Sequence, residues 1–172
     1  MSWIHKTSMF AKSMGVLSAV SYVFGEMDTS PSGILIDKVS GATTYTQCVA
    51  TGERKPVPFR LTPSIVAAFG TCGVGGPFKQ ALTNSLEMTR KRAASLANIL
   101  QFVVCKEPYE PRTIPKEYAR FGSCERADGG IDEFYGRIIG KGTVGTHVQE
   151  LISAATSMEN MAKMPGRWMP WL

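Results

Sequence analysis

The chain has 172 residues, a formal net charge of +5 and 44% hydrophobic residues. This is ordinary globular composition, which excludes a chain that is disordered throughout. No apolar run reaches the roughly 18–20 residues of a membrane-spanning helix, and the pattern of a secretory signal is missing. We therefore expect a globular domain with at most a small appendage.

The cysteines and histidines do not form a metal-binding pattern. Structural zinc sites use ligand pairs roughly two to four residues apart, and no such pair occurs among Cys48, Cys72, Cys105 and Cys124. We predict reduced, mostly packed thiols, no metal site and no cofactor. The densest basic cluster, residues 90–92, favours a solvated helix face over a nucleic-acid patch.

The first half of the chain predicts a helix, a hairpin and a second helix. Apolar residues at three- and four-residue steps predict the helix over 3–24. Two β-prone runs around Ser40-Gly41 predict the hairpin over 33–46. Thr62 and Pro63 then form the N-cap and first residue of a short helix.

The second half predicts more helices. A long apolar stripe indicates one helix from Pro77 to about Cys105. A proline- and glycine-rich connector follows, with a short helix over 131–139. Residues 144–155 form another amphipathic helix, and Thr156-Ser-Met-Glu159 fits a capping box that begins the last helix.

The chain ends with an unusual aromatic segment. Trp168 and Trp171 lie within the last five residues, whereas chain ends are normally polar and frayed. We predict that Trp168, Pro170, Trp171 and Leu172 form a docking tail, because tryptophans bury large areas.

Two motifs resemble a known family. Val57-Pro-Phe-Arg-Leu-Thr62 resembles the V-P-F-R-L-T motif in the C-lobe of phosphatidylinositol 3-kinase-related kinases, and residues 148–172 resemble their FATC domain. The resemblance implies a mainly α fold: a kinase C-lobe with a short β-hairpin, followed by a helical FATC tail. It predicts a C-lobe over 1–107, a partly disordered linker over 108–142 and FATC over 143–172, with Phe59, Arg60, Leu61 and Thr62 as structural anchors.

The same resemblance places the family's catalytic loop on residues 27–33. Asp28 then stands at the catalytic aspartate, while Gly33 and Gln47 stand where the family has metal ligands. Gln47 is neutral and Gly33 has no side chain, so neither replacement can hold Mg²⁺ as the family's aspartate and asparagine do. With no N-lobe in the sequence, we expect no enzyme activity and a vestigial Asp28.

The ending Met164–Leu172 and the segment Gly73-Val-Gly-Gly-Pro77 resemble the TRRAP-type pseudokinase branch of this family. That resemblance implies a nuclear, non-catalytic scaffold subunit of a histone acetyltransferase coactivator complex such as SAGA. Its partners would be protein subunits, including the rest of a FAT and kinase-like scaffold, and transcription activators. Direct contact with nucleic acid or with a membrane is not expected.

Two alternatives stay open at this point. The chain could belong to a diverged but active protein kinase of the same family. It could also be a small basic subunit that binds nucleic acid or a ribonucleoprotein, which its charge permits but which leaves both motifs unexplained.

Overall fold

The computed structural model describes residues 2–25, 27–46, 56–105, 134–140 and 142–171. Its contacts divide the chain into two compact units, one comprising residues 1–87 with 141–172 and the other residues 88–140. The first unit is mainly helical with a two-stranded antiparallel hairpin, which confirms the predicted fold class. None of the helices in these described ranges combines the length and hydropathy that a membrane crossing requires.

Helix α1 spans Trp3–Phe24, as the periodicity predicts. Ser2 caps its start, and Gly25, with φ of 72°, ends it by donating its N–H to the Ser21 carbonyl at 2.8 Å. Its buried face differs from the predicted stripe of large apolar residues, since Phe24 is 41% exposed. The buried positions are mostly small side chains: Ala11, Met14, Gly15, Ser18, Ala19, Ser21 and Val23. Small residues let neighbouring elements approach the helix closely.

Strands β1 (Ile34–Ile36) and β2 (Thr43–Tyr45) form the predicted hairpin. Its turn is closed by the Asp37 carboxylate, whose pKa is lowered by hydrogen bonds from the Ser40 hydroxyl and from the backbone N–H groups of residues 39 and 40. The hairpin is tied to α1 because Ser13 Oγ accepts from the Thr43 N–H at 3.0 Å and from its hydroxyl at 2.8 Å.

Helix α2 spans Pro63–Ala68, with Thr62 at its N-cap as predicted. The Thr62 carbonyl accepts from the Val66 N–H at 3.0 Å, but its buried hydroxyl has no hydrogen-bond partner in the described part of the chain. A 3₁₀ segment over Gly70–Gly75 connects α2 to α3. Cys72 in this segment is free and exposed, so it is not the packed thiol we predicted.

The prediction of one long helix over 77–105 is wrong. Helix α3 ends at Lys91, after starting at Pro77, and α4 runs from Ala93 to Cys105. At the break, the Arg92 N–H donates to the carbonyl of Thr89, three residues back, at 3.1 Å. Such a tightened turn interrupts the four-residue ladder of an α-helix. No proline or glycine lies at the break, so no local sequence signal predicts it.

The second unit contains α4 and a further helical segment. That segment, over 134–139 and here α5, overlaps the short helix predicted over 131–139. Phe134 and Ile138 from α5 are buried, as are Ala93 and Ala97 from α4. Most of the predicted linker over 108–142 lies outside the described residues.

The C-terminal segment contains α6 (Val144–Thr156) and α7 (Met158–Ala162). The apolar face of α6 is buried: Val148, Leu151, Ile152 and Ala155. The predicted capping box is displaced by one residue, because Ser157 caps α7 by accepting from the Asn160 N–H. The Thr156 hydroxyl instead donates back to the Ile152 carbonyl within α6 at 2.8 Å.

Gly15 lies where α1 and α3 meet. A Cβ atom there would stand 2.6 Å from the Phe78 carbonyl oxygen and 2.9 Å from the Ala81 Cβ. Alanine elsewhere in a helix gains about 1 kcal/mol over glycine. We expect Gly15→Ala to reverse that sign and lower the free energy of unfolding by about 1–3 kcal/mol, through overpacking against backbone.

Urea unfolding of the chain measures this effect. Gly145→Ala in α6 is the matched control, because the nearest atom to its added Cβ is 4.0 Å away. It should leave the free energy of unfolding unchanged or raise it slightly. Equal effects of the two substitutions would contradict a close approach of α3 to Gly15.

Candidate functional site

The final aromatic segment begins inside the core of the first unit. Trp168 closes the 3₁₀ turn Gly166–Trp168 and is 4% exposed. It belongs to one buried cluster with Met161 and Met164 of the C-terminal segment and with Val57. The start of the V-P-F-R-L-T motif therefore packs directly against the C-terminal tail.

The Trp168 indole also reaches the segment that aligns with the catalytic loop. Its Nε1 donates a hydrogen bond to the Thr29 hydroxyl oxygen at 3.0 Å. Both residues are buried, and they are 139 positions apart in the sequence. Thr29 immediately follows Asp28, so the tail is linked to the neighbour of the candidate catalytic aspartate.

Arg60 joins the same three segments from the motif side. Its Nη1 donates to the Trp168 carbonyl and to the Thr29 carbonyl, the latter at 3.4 Å, while Nη2 donates to the Met169 carbonyl at 3.1 Å. The guanidinium carbon also lies 4.6 Å from the centroid of the Trp168 ring, a cation–π arrangement. We call Thr29, Arg60, Trp168 and Met169 the tail cluster.

Met169 adopts a backbone conformation that side chains rarely take. Its φ is 49° and its ψ is 70°, in the left-handed region. A non-glycine residue held there costs on the order of 1–3 kcal/mol and persists where its surroundings impose it. The hydrogen bond from Arg60 to the Met169 carbonyl is such a constraint, and it turns the chain at the point where Trp168 is already buried.

Burial changes the ionisation of the groups around the tail cluster. It lowers the pKa of the Arg60 guanidinium, an effect that the nearby Tyr45 partly opposes. Burial raises the pKa of the Tyr45 phenol from 10.0 to about 12, against smaller opposing effects of a hydrogen bond from Ser21 and of Arg60. The charge of Asp28 adds to the rise. Tyr45 therefore stays neutral well above its ordinary pKa.

Asp28 lies at the edge of the tail cluster in a tight local turn. Its Oδ1 accepts a hydrogen bond from the Ser30 N–H at 2.9 Å. Gly33 is pressed against it, because a Cβ there would stand 2.6 Å from the Asp28 Cγ and closer still to the Asp28 carbonyl oxygen. Any side chain at position 33 would displace Asp28.

These residues do not fit a magnesium site. Gly33 offers no side-chain oxygen beside Asp28, and Gln47 lies outside the described residues. Across the described ranges, no three His, Cys, Asp or Glu side chains lie together as metal ligands would.

A second contact links α1 with the C-terminal segment. The Tyr22 hydroxyl and the His147 Nε2 are 3.0 Å apart, and their rings pack edge to face with centroids 5.4 Å apart. No sequence pattern predicts a contact for Tyr22, His147 or Thr29. Contacts between residues more than a hundred positions apart leave no local pattern to detect them by.

The structure places the other predicted anchors as follows. Phe59, Leu61 and Thr62 are buried with Arg60, each at 3% exposure or less. In the predicted docking tail, Trp168 is buried, Pro170 is half-buried and Trp171 is 67% exposed. Leu172 lies outside the described residues. The tail cluster thus brings together Arg60 and Trp168 from the two predicted groups, and it leaves Trp171 at the surface.

The raised pKa of Tyr45 predicts how stability depends on pH. Above its unfolded pKa of 10.0, the unfolded phenol loses its proton while the folded phenol keeps it up to about 12. Unfolding then releases a proton, so the free energy of unfolding should fall as pH rises between these two values.

Tyr45→Phe removes this proton release, and its stability should fall less steeply over the same interval. Urea unfolding of the wild type and of Tyr45→Phe at a series of pH values tests this, with the other titrating groups common to both proteins. Parallel pH profiles for the two proteins would show that the phenol is not buried as described.

Comparison with known proteins places these features in a family context. Residues 142–172 match the FATC domain. The serine/threonine-protein kinase MEC1 of Candida glabrata is 29% identical over 177 residues, which cover 99% of this chain and 7% of that protein. The serine/threonine-protein kinase ATR of Drosophila melanogaster is 28% identical over 184 residues, with the same coverage of 99% and 7%.

The fold is similar to that of solved structures. The open conformation of CtTel1 superposes with a TM-score of 0.85 at 25% identity, over 99% of this chain and 7% of that one. The FAT and kinase domain of CtTel1 matches with a TM-score of 0.82 at 24% identity, over 99% of this chain and 12% of that one. The chain thus spans about 7% of the length of the curated relatives it matches.

The expectation that the chain is not an enzyme is wrong, because the matched relatives are serine/threonine-protein kinases. Part of that expectation came from the missing N-lobe, yet the sequence covers only a small C-terminal share of these proteins. The matched kinases also include SMG1 and TOR types, so a specific TRRAP-type identity stays a prediction. The chain is similar throughout to the C-terminal region of the phosphatidylinositol 3-kinase-related kinases, and it ends in a FATC domain.

Proposed function

We propose that the chain is the C-terminal part of a longer serine/threonine-protein kinase of the phosphatidylinositol 3-kinase-related type. In this role it supplies the C-lobe segment that carries Asp28 together with the FATC domain. The observation that carries the proposal is the tail cluster. It joins the segment after Asp28, the V-P-F-R-L-T motif and the FATC tail through buried hydrogen bonds.

Two features of the comparisons support this proposal. The relatives are serine/threonine-protein kinases, and their similarity extends over nearly the whole chain. The similarity to MEC1, ATR and CtTel1 covers nearly the whole chain, including the hairpin and the segment around Asp28. The similarity is therefore not confined to the FATC domain.

Asp28 is the residue that we propose for the chemical step. A carboxylate held near a serine or threonine hydroxyl can accept its proton as the oxygen attacks a phosphoryl group. The hydrogen bond from the Ser30 N–H fixes one carboxylate oxygen of Asp28. This hydrogen bond orients the carboxylate.

A second candidate is the scaffold role, in which the chain acts through protein–protein contacts in a transcription coactivator complex. Trp171 favours it, because this large aromatic side chain is 67% exposed at the end of the FATC domain. Exposed tryptophans are typical anchors of protein interfaces. The subunits of a histone acetyltransferase complex, transcription activators and a nuclear location are predictions that belong to this candidate.

Asp28→Asn tests the first candidate. Phosphate transfer from labelled ATP to a serine- or threonine-containing peptide is measured with the longest form of the protein that can be expressed. Removing a general base lowers catalysis by about 10²–10⁴-fold, and we expect a fall in that range for Asp28→Asn.

Asp37→Asn is the matched control, because Asp37 closes the exposed turn of the hairpin, outside the site. It should transfer phosphate at the wild-type rate. Equal rates for Asp28→Asn and the wild type would contradict the role of Asp28. No transfer above background by the wild type would contradict the kinase proposal and favour the scaffold.

A further inference from the structure

We propose that the Thr29 hydroxyl and the Trp168 indole N–H act as a positioning pair for Asp28. Through this pair, the FATC tail fixes the backbone on which the candidate proton acceptor is carried. The inference deepens the proposed function and rests on it for the role of Asp28. Neither residue touches a substrate, so both are positioning residues.

The Thr29 hydroxyl and the Trp168 indole N–H form a hydrogen bond that is shielded from solvent. The indole Nε1 lies 3.0 Å from the Thr29 hydroxyl oxygen, and the two residues are 3% and 4% exposed. A buried indole N–H that loses its acceptor destabilises the fold by its full desolvation free energy, because no protein hydrogen bond replaces those it made with water. The structure therefore strongly favours the rotamer of Thr29 that accepts from the tail.

Thr29 is held at two points. Its hydroxyl accepts from Trp168, and its carbonyl accepts from Arg60 Nη1 at 3.4 Å. Arg60 is itself bound to the carbonyls of the tail. Both the side chain and the main chain of the residue that follows Asp28 are thus fixed by groups that belong to the tail cluster.

Fixing Thr29 also fixes the carboxylate of Asp28. The Asp28 Oδ1 accepts from the Ser30 N–H, so the turn closes around Thr29 as its central residue. Gly33 limits movement on the other side, because Asp28 fills the space where a side chain would be. If the hydrogen bond from Trp168 to Thr29 is lost, Thr29 becomes more mobile. The hydrogen bond from the Ser30 N–H to Asp28 then breaks more often.

Three substitutions separate the effect of the hydrogen bond from the effect of packing. Thr29→Val keeps the shape of the side chain and removes the acceptor. Trp168→Phe removes the N–H but keeps an aromatic ring for Arg60. Thr29→Ser keeps the hydroxyl and should restore what Thr29→Val loses, which packing alone would not do.

The first measurement is hydrogen exchange at the Ser30 amide in the full chain, which does not depend on activity. Loss of one buried hydrogen bond should speed this exchange by about tenfold in Thr29→Val and in Trp168→Phe. Thr29→Ser should stay near the wild-type rate. Thr44→Val and Trp3→Phe are matched controls, since both side chains are exposed, and they should leave the rate unchanged.

The second measurement is phosphate transfer by the longest expressible form of the protein. We expect kcat to fall about tenfold in Thr29→Val and Trp168→Phe with little change in the KM of the peptide, because the proton acceptor is misplaced and substrate contacts are kept. Thr29→Ser should recover kcat.

The outcomes separate the two proposals. Unchanged exchange at Ser30 in both variants would overturn the positioning pair, whatever the activity. So would a loss of kcat in Thr29→Ser equal to that in Thr29→Val, because it would indicate packing instead of the hydroxyl. Faster exchange in a protein without any transferase activity would support the tail-to-turn link and would refute only the kinase proposal.

Discussion

A buried guanidinium must find acceptors for its donors, and in this chain Arg60 finds them on segments far apart in sequence. Its partners include the carbonyls of Thr29, Trp168 and Met169. A buried charge without such partners would be strongly destabilising, so the segments can reach their places only together. The site around Asp28 and the FATC tail are consequently parts of one structural element.

The packing around this element explains why α1 carries so many small residues. Gly15 admits α3 at backbone contact distance, Ser13 binds the hairpin, and Tyr22 reaches His147 in α6. A helix with a single apolar stripe would pack against one neighbouring element. Helix α1 instead contacts the hairpin through Ser13 on one face, and on the opposite face it contacts α3 through Gly15 and the FATC domain through Tyr22.

Local features of the fold could be read from the sequence, and distant ones could not. The Thr62-Pro63 helix start and the hairpin turn are set by neighbouring residues, so their chemistry is visible in a short window. The break between α3 and α4 at Arg92 contains no proline or glycine that would predict it. The bond between Thr29 and Trp168 spans 139 positions, and the motif resemblance predicted both partner segments without predicting that they touch.

A double-mutant cycle on the free energy of unfolding, between Arg60→Met and a chain that ends at residue 167, tests directly whether Arg60 holds the tail. We expect Arg60→Met to destabilise the full chain by about 2–4 kcal/mol, from lost charged hydrogen bonds and the lost cation–π contact. In the shortened chain we expect little or no loss, because the tail acceptors are already gone. Additive effects, within about 0.5 kcal/mol, would contradict a tail held by Arg60.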